Sequence, residues 1–306
     1  MERWIWLSSI PHIGPVTQKK LLAVFGSPER VYHASPAELQ EVKGISQRAR
    51  EAILAARSLE KPKRILELVY QKEIWLLPRD DPLYPYYAKD VPESPVLLYY
   101  KGLIQPQFPS VAIVGSHTCS NQTKFATEEL AYKLSRLGIP VISGLAKGVD
   151  QYAHVACLAN RGRPIAFVAH GVDDCYPKEH RSLFEAIIDQ GAVISQYPPG
   201  TASKPKQFIQ RNALISAWSS HVVIMEAEMK SGSMTTAHFA EKQARKVFAF
   251  QNKHSQSSHG LNHLLSKGVH PYVSATSFIS RLELQASMIR KEIEIPIVSE
   301  IPNDHN

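Results

Sequence analysis

The chain has 306 residues, of which 44% are hydrophobic and 21% are charged, with a formal net charge of +7 and three cysteines. This length and apolar content suit one large or two smaller globular domains. The odd cysteine count without a C-x-x-C pair argues against a disulfide framework or a zinc site, and no apolar run approaches the roughly 20 residues of a membrane helix. We therefore expect a soluble, cytoplasmic protein without a membrane span, whose positive charge favours polyanionic partners.

Residues 1–62 are predicted to form short helices joined by tight turns. Residues 7–15 and 39–46 each approximate a helix-hairpin-helix, in which a glycine hairpin presents backbone N–H groups to phosphate. Each is imperfect, because His12 stands where the first glycine belongs and Ser46 replaces the second. Two interpretations stay open, a packing module and a nucleic-acid contact. The second is supported by nearby cations: Lys19, Lys20, Arg48 and Arg50.

Residues 63–280 are predicted to form a second domain of the α/β class. A helix at 63–72, an apolar segment at 74–77, a proline- and tyrosine-rich stretch at 78–95 and a strand at 96–102 precede a region in which strands and amphipathic helices alternate. Such alternation predicts a mainly parallel sheet with both faces covered by helices. The strand candidates of this region are 111–115, 140–143, 164–169, 192–196, 221–226 and 246–250.

One predicted helix carries Phe125, Leu130, Leu134 and Leu137 on an apolar stripe and stops at Gly138. We expect this stripe to face the sheet. Residues 281–306 are too short for another domain, and we expect them to form a surface-packed or disordered tail.

Small and hydroxyl residues follow several of the strands where helices should begin. In an open α/β sheet this edge binds ligands, and helix N-termini there favour phosphate. The pattern lacks both G-x-G-x-x-G and a Walker A loop, so neither a dinucleotide fingerprint nor ATP hydrolysis of that class is expected. The residues predicted to line the crevice are Gly115, Ser116, His117, Ser143, Gly144, Lys147, Ser231, Gly232, Ser233 and Thr235.

Residues 204–212 are predicted to form a basic loop that carries an aromatic residue. We expect Lys206 and Arg211 to neutralise phosphates and Phe208 to stack on a base, with Asn212 beside them. The alternative is a loop in which the phenylalanine only anchors the chain to the core. Asp150 and His154 share a helix face, but no third ligand has convincing spacing. A structural pair is therefore favoured over a metal site, and no metal or cofactor is expected.

Six motifs, in order, resemble the DNA-processing protein A (DprA/Smf) family. The resemblance covers roughly residues 1–275 and implies an extended Rossmann fold with a helical N-terminal domain. It further implies single-stranded DNA binding, a homodimer, and loading of a RecA-type recombinase onto DNA that enters during natural transformation. The motifs are G-S-H at 115–117, S-G-L-A-K-G-V-D-x-x-A-H at 143–154, G-V-D-x-x-Y-P at 171–177, S-Q-Y-P-P-G at 195–200, F-x-x-R-N at 208–212 and E-A-x-x-x-S-G-S-x-x-T-A at 226–237.

The chain departs from the family pattern in ways that bear on DNA binding. His117 and Ala213 stand where the family usually has arginine, so two cations are expected to be missing from the phosphate site. Histidine is charged only when protonated, which predicts stronger binding at mildly acid pH. Lys204, Lys206 and Lys253 are candidates to compensate. The winged-helix C-terminal domain common in the family is also not expected here.

The leading hypothesis is a non-enzymatic single-stranded DNA-binding protein that acts as a recombination mediator, without catalytic residues. The first alternative is a Rossmann-type protein that senses a small nucleotide. Hydrolysis of such a nucleotide is not expected, because the P-G-G-x-G-T motif of related hydrolases is absent. The second alternative is a scaffold dimer whose DNA site has weakened.

Overall fold

A computed structural model describes residues 1–105, 109–251 and 258–282. The chain begins with short helices whose starts are encoded locally. Proline occupies the first turn of α2, α3 and α4, where its missing N–H costs nothing, and Ser27, Ser35 and Ser46 cap α3, α4 and α5. The helices are α1 (Glu2–Ser9), α2 (Pro15–Phe25), α3 (Pro28–His33), α4 (Pro36–Glu41), α5 (Gln47–Ala55) and α6 (Glu60–Gln71).

Within the described residues, nine strands form a single mixed sheet in the order β1-β2-β6-β5-β4-β3-β7-β8-β9. β2 runs antiparallel to both of its neighbours, β1 and β6, and all other neighbouring strands are parallel to each other. The mainly parallel α/β sheet and each of the predicted strands are thereby confirmed, whereas the strands at 75–78 and 270–272 were not predicted. The strands are β1 (Trp75–Pro78), β2 (Leu97–Gly102), β3 (Val111–Val114), β4 (Val141–Ser143), β5 (Pro164–Phe167), β6 (Ala192–Ser195), β7 (His221–Ile224), β8 (Lys246–Phe250) and β9 (His270–Tyr272).

Helices cover both faces of the sheet. On one face, an apolar cluster contains side chains of β3, β4, β7 and β8 together with Trp218. On the other face, Leu97, Tyr99 and Val193 belong to a cluster with Phe184. The strands between them are buried on both sides, as expected for parallel strands. The helices of this part are α7 (Tyr86–Lys89), α8 (Asn121–Arg136), α9 (Val149–Ala159), α10 (Arg181–Gln190), α11 (Pro205–Ala217), α12 (Gly232–Lys242) and α13 (His259–Ser266).

The helical segment has a core of its own but also packs against the sheet. Trp6, Leu21 and Ile53 are buried within it, whereas Ile5 joins the apolar cluster of the sheet. The predicted domain boundary at residue 62 remains a prediction. Of the predicted tail 281–306, only Arg281 and Leu282 are described. Lys253, named above as a candidate cation, lies outside the described residues.

Two details of the sequence prediction were wrong. On α8, Phe125 and Leu137 are exposed by 68% and 48%, so the sheet-facing stripe does not include them. Small side chains fill that face instead, and the Thr127 hydroxyl donates to the Thr123 carbonyl at 2.7 Å, which lets threonine pack without an unpaired polar group. The second error concerns residues 204–212, which belong almost entirely to helix α11 and do not form a loop.

No helix in the described ranges is both long and apolar enough to cross a lipid bilayer.

Candidate functional site

The candidate site lies where the strand order of the sheet reverses. The chain passes from β3 to β4 on one side and later returns to β7 on the other side of β3. The carboxyl ends of these three strands therefore meet, as at the ligand-binding switch point of open α/β sheets. A cavity of about 300 Å³ opens there. It is lined by Val114, Gly115, Ser116, His117, Ala146, Asp150, Arg211, Asn212, Ile215, Ser231, Gly232, Ser233 and Thr236.

A second cavity of about 130 Å³ adjoins the first and shares His117, Ala146 and Arg211 with it. It brings in three further predicted site residues, namely Gly144, Lys147 and Phe208. The two cavities together thus collect most of the residues predicted from the sequence. The remaining lining residues of the second cavity are Val168, Ala169, His170, Tyr176 and Pro177.

Three predicted site residues line neither cavity. Ser143 is fully buried, and its hydroxyl donates to the Ile113 carbonyl at 2.6 Å, so it ties β4 to β3 below the floor. Thr235 lies on α12 next to Thr236, which does line the first cavity. Lys206 is exposed on the first turn of α11.

Arg211 holds the floor of the site together. The helix α11 carries it under the strand ends, where it is 7% exposed. Its Nη1 donates to the carbonyls of Gly144 and Phe167, and its Nε donates to Asn212 Oδ1 at 3.0 Å. Burial lowers the pKa of this guanidinium, while the nearby Asp150 charge opposes that shift. Arg211 therefore connects the ends of β4 and β5 to α11.

Asp150 supports the loop after β4 from below. Its Oδ2 accepts the backbone N–H of Gly144 at 3.0 Å and that of Ala146 at 3.4 Å. Burial raises the pKa of this carboxyl, and the positive charge of Arg211 counteracts the rise. A Cβ atom at Gly144 would lie 2.4 Å from Arg211 Nη1, so only glycine fits between the two charged groups. Asp150 and Arg211 thus fix the conformation of this loop.

The N-terminus of α12 forms the opposite wall of the first cavity. Ser231 caps the helix by accepting the N–H of Met234 at 3.3 Å. Asn212 Nδ2 donates to the Gly232 carbonyl at 3.1 Å, so the contacts of Arg211 continue into this wall. Hydroxyl groups and the positive end of a helix are typical of a site for an anion.

The second cavity combines aromatic rings with positive charge. The rings of Phe208 and Tyr176 meet edge to face with centroids 5.9 Å apart, and the Arg211 guanidinium lies 5.6 Å from the Phe208 ring. Lys147 is at the mouth and pairs with Glu179 at 2.5 Å, an ion pair that raises the pKa of the lysine. Both partners are exposed, so a stronger anion can compete with Glu179 for Lys147.

Some functional positions were missed by sequence reasoning. Ala146 and Ile215 were not singled out as lining residues, because an apolar residue carries no chemical signal. Thr236 belongs to the E-A-x-x-x-S-G-S-x-x-T-A motif, but its neighbour Thr235 was predicted in its place. Tyr176 was visible in the G-V-D-x-x-Y-P motif, and this motif does bring it to Phe208. Ala213 is 1% exposed and lines neither cavity. That this position lost a phosphate-binding cation stays a prediction.

Asp150 and His154 form no hydrogen bond with each other. His154 is fully buried, and both of its ring nitrogens are without a hydrogen-bond partner. Burial lowers its pKa to about 3. Within the described part of the chain, no three histidine, cysteine or carboxylate side chains are placed to hold a metal ion.

Comparison with protein families agrees with this architecture. The model of the family described as DNA recombination-mediator protein A matches residues 75–283, and that of a SAM-like helix-hairpin-helix tandem matches residues 7–58. A curated relative, Protein Smf of Synechocystis sp., is 35% identical over 285 residues, which are 91% of this chain and 72% of that protein.

Two solved structures are similar along most of their length. The X-ray structure of DNA processing protein A from Streptococcus pneumoniae has a TM-score of 0.80 at 27% identity and covers 92% of this chain and 97% of its own. DNA processing protein A from Helicobacter pylori, described for its single-stranded DNA binding mode, has a TM-score of 0.62 at 28% identity. That match covers 70% of this chain and 97% of its own.

Proposed function

This chain belongs to the DNA recombination-mediator protein A family, and from that membership we propose that it binds single-stranded DNA across the two cavities at the strand ends. The phosphate backbone occupies the first cavity and its rim, and a base stacks at the second. The observation that carries this proposal is the junction of a serine-capped helix N-terminus with an aromatic and basic wall in one continuous crevice.

The first cavity supplies the phosphate contacts. Hydroxyls of Ser116, Ser231 and Ser233 and the first turn of α12 offer donors, and Lys147 and Lys206 add mobile charge at the rim. Arg211 is a positioning residue in this scheme, because its described hydrogen bonds go to protein acceptors. Sequence-independent binding is expected, since these groups address the backbone of the strand.

The second cavity supplies a stacking surface. Phe208 is only half-buried, and its edge-to-face contact with Tyr176 keeps one ring face of the pair available beside the Arg211 guanidinium. Stacking on an aromatic ring is worth about 1–3 kcal/mol per base and tolerates any base. Duplex DNA does not expose its base faces in this way, so a preference for single strands follows.

The test is a salt titration of oligonucleotide binding by the full chain. We expect the logarithm of the affinity to fall linearly with the logarithm of salt, by about 0.7 per neutralised phosphate on a single strand. Lys206→Ala should reduce that slope by about 0.7 and weaken binding of all sequences alike. The control is Lys63→Ala, which removes an exposed lysine on α6, away from both cavities. Salt-independent binding, or none at low salt, contradicts the proposal.

The proposal includes a mediator role without catalysis, in a cytoplasmic homodimer that delivers a RecA-type recombinase to the bound strand. Family membership supports the mediator role, and the three free cysteines suit a reducing compartment. Light scattering of the purified chain tests the dimer, and a recombinase-filament assay on coated single strands tests the delivery. A monomer in solution would contradict the homodimer, and filament formation that the protein leaves unchanged would contradict the delivery of the recombinase.

A second candidate is a sensor of small nucleotides. It is favoured by the size of the first cavity, because about 300 Å³ is within the range of small-molecule sites. A thermal-shift series with mononucleotides and an oligonucleotide separates the two. A strong response to a mononucleotide without oligonucleotide binding supports the sensor and contradicts the DNA-binding proposal.

A further inference from the structure

A third and larger cavity lies away from the crevice, between helix α2 and the chain that follows β1. Its volume is about 510 Å³. Trp4 and Pro92 provide apolar wall, and Lys19, Lys20 and Arg79 provide positive charge, with Asp80 and Asp90 at the same wall. We refer to it as the α2 cleft. No part of the function proposed above makes use of it.

Lys19 is the unusual residue of the α2 cleft. Its side chain is half-buried, and its ammonium donates to the backbone carbonyl of Val91. Among the described residues it forms no ion pair, although an ammonium group has three donors. A half-buried lysine without a carboxylate in an ion pair carries part of the desolvation cost of a buried charge, and a bound anion relieves that cost.

Arg79 adds a like charge next to Lys19. It is held in place by bonds from its Nε to the Lys89 carbonyl at 3.1 Å and from its Nη2 to Asp90 at 3.0 Å. Burial and the charge of Arg79 lower the pKa of Lys19 to about 8, against the opposing effects of Asp90 and Glu93. Asp90 itself is 90% exposed, so its charge is well solvated and compensates the two cations poorly.

The sheet register places this cation pair on the edge that carries the DNA crevice. Pro78 pairs with Leu97, and Tyr99 pairs with Ser195 at the carboxyl end of β6, so Arg79 leaves β1 at the carboxyl edge. Four strand spacings separate β1 from β4, or roughly 19 Å in the plane of the sheet. A strand that leaves the crevice along this edge therefore reaches the α2 cleft after a few nucleotides.

We propose that the α2 cleft is a second phosphate-binding site, in which Lys19 and Arg79 hold the backbone of the same single strand that occupies the crevice. This inference rests on the proposed function, which it extends from one site to a track along the sheet edge. The half-buried Trp4 gives the cleft a ring surface beside the cations. A phosphate between the two cations replaces their mutual repulsion by attraction to a shared anion.

The test compares oligothymidylates of about 4 and about 16 nucleotides, which span the usual site sizes of single-strand-binding proteins. We expect Lys19→Gln to lower the affinity for the longer oligonucleotide about threefold or more and to reduce the salt slope of its binding by about 0.7. The affinity for the shorter oligonucleotide should not change. Lys63→Gln removes the same charge outside the cleft and should change neither. Equal losses for both lengths, or no loss for either, overturn the proposal.

A pH series on the full chain separates a phosphate contact from a structural role of Lys19. Affinity for the longer oligonucleotide should fall between pH 7 and pH 9 in the wild type, as free Lys19 loses its proton. Arg79, Asp90 and Glu93 also act on Lys19, and Asp80 and Lys20 share the cleft wall. Lys19→Arg separates the contribution of residue 19 from that of the other groups. Arginine keeps the positive charge up to pH 9, so the variant should keep the affinity and lose the part of the pH dependence that is due to Lys19. Unchanged pH dependence in Lys19→Arg overturns the proposal.

Chemical labelling distinguishes a strand from a small anion. Acetylation of Lys19 by N-hydroxysuccinimide acetate should be blocked by the longer oligonucleotide and proceed with the shorter one or with inorganic phosphate. If inorganic phosphate by itself protects Lys19 from acetylation, the cleft binds a free anion and the proposal is overturned. Failure of the wild type to bind either oligonucleotide defeats the proposed function, whereas equal affinity for both lengths defeats only the second site.

Discussion

At the scale of single residues, Arg211 shows how burial changes the meaning of a basic side chain. In the sequence it stands among lysines and an aromatic residue, which indicates a phosphate contact. In the structure its guanidinium bonds to two strand-end carbonyls and an amide oxygen. No property of the sequence distinguishes these two roles, because they differ only in which groups the fold brings to the donor atoms.

The first prediction concerns Arg211→Ala. We expect the free energy of unfolding to fall by roughly 2–5 kcal/mol, because the carbonyls of Gly144 and Phe167 lose their donor and buried Asp150 loses a nearby positive charge. Urea denaturation measures the loss. Lys206→Ala is the matched control and should leave stability unchanged, since Lys206 is exposed. An Arg211→Ala variant as stable as the wild type contradicts the positioning role.

The second prediction separates the capping role of Ser231 from its place in the DNA site. Ser231→Ala removes the cap of α12 and should cost about 1 kcal/mol of stability. Ser231→Asp should preserve the cap, since aspartate accepts the same N–H, but it places negative charge where phosphate is expected. We therefore predict near wild-type unfolding and at least a tenfold loss of oligonucleotide affinity for Ser231→Asp, measured by denaturation and anisotropy. Undiminished binding would place the phosphate elsewhere.

At the scale of elements, the inner strands of the sheet were predictable, whereas the edge strands β1 and β9 and the helix α11 were not. Continuous apolar runs such as 111–114 identify buried parallel strands without help from tertiary structure. The sequence predicts a loop at α11 because Pro205 and two lysines dominate the start of this segment, although proline is favoured at that position of a helix. The buried face of α8 was also predicted wrongly. Thr123 and Leu130 are buried on this helix and Phe125 is exposed, a choice that depends on packing and not on hydrophobicity.

The third prediction concerns the acid stability of α9. His154 has a pKa of about 3 in the folded chain and about 6.5 when unfolded, so below pH 6.5 the unfolded state binds the extra proton. Stability contributed by neutral His154 is therefore present above pH 6.5 and lost as the pH falls toward 3. We predict that His154→Leu loses roughly 2 kcal/mol less stability than the wild type between pH 7 and pH 5. Urea midpoints at the two pH values test this, and identical pH dependence contradicts it.

At the scale of the whole molecule, the helical segment and the sheet share buried surface. Ile5 on α1 lies in the same cluster as Leu97, Leu145 and Val193, so the start of the chain completes the core beneath the loop after β4. The sequence indicated two regions by their composition but not this shared core, because contacts between distant segments leave no local pattern.

The fourth prediction follows from this shared cluster. Ile5→Ala should cost about 2–5 kcal/mol, as for other buried isoleucines, and the cost should be felt by the sheet as well as by the helices. Hydrogen exchange is the measurement, and protection of β4 and β5 should fall by the same factor as that of α2. Loss of protection confined to the helical segment would show that the two parts unfold independently.

The last strand of the sheet limits how two copies of this chain are able to join. The Tyr272 carbonyl accepts the N–H of Gln251, so the peptide groups of His270 and Tyr272 point inward to β8 and the position between them points outward. That position is Pro271, which has no hydrogen to donate. An additional strand would find no donor there, so this edge resists the open-ended stacking of sheets that leads to fibrils.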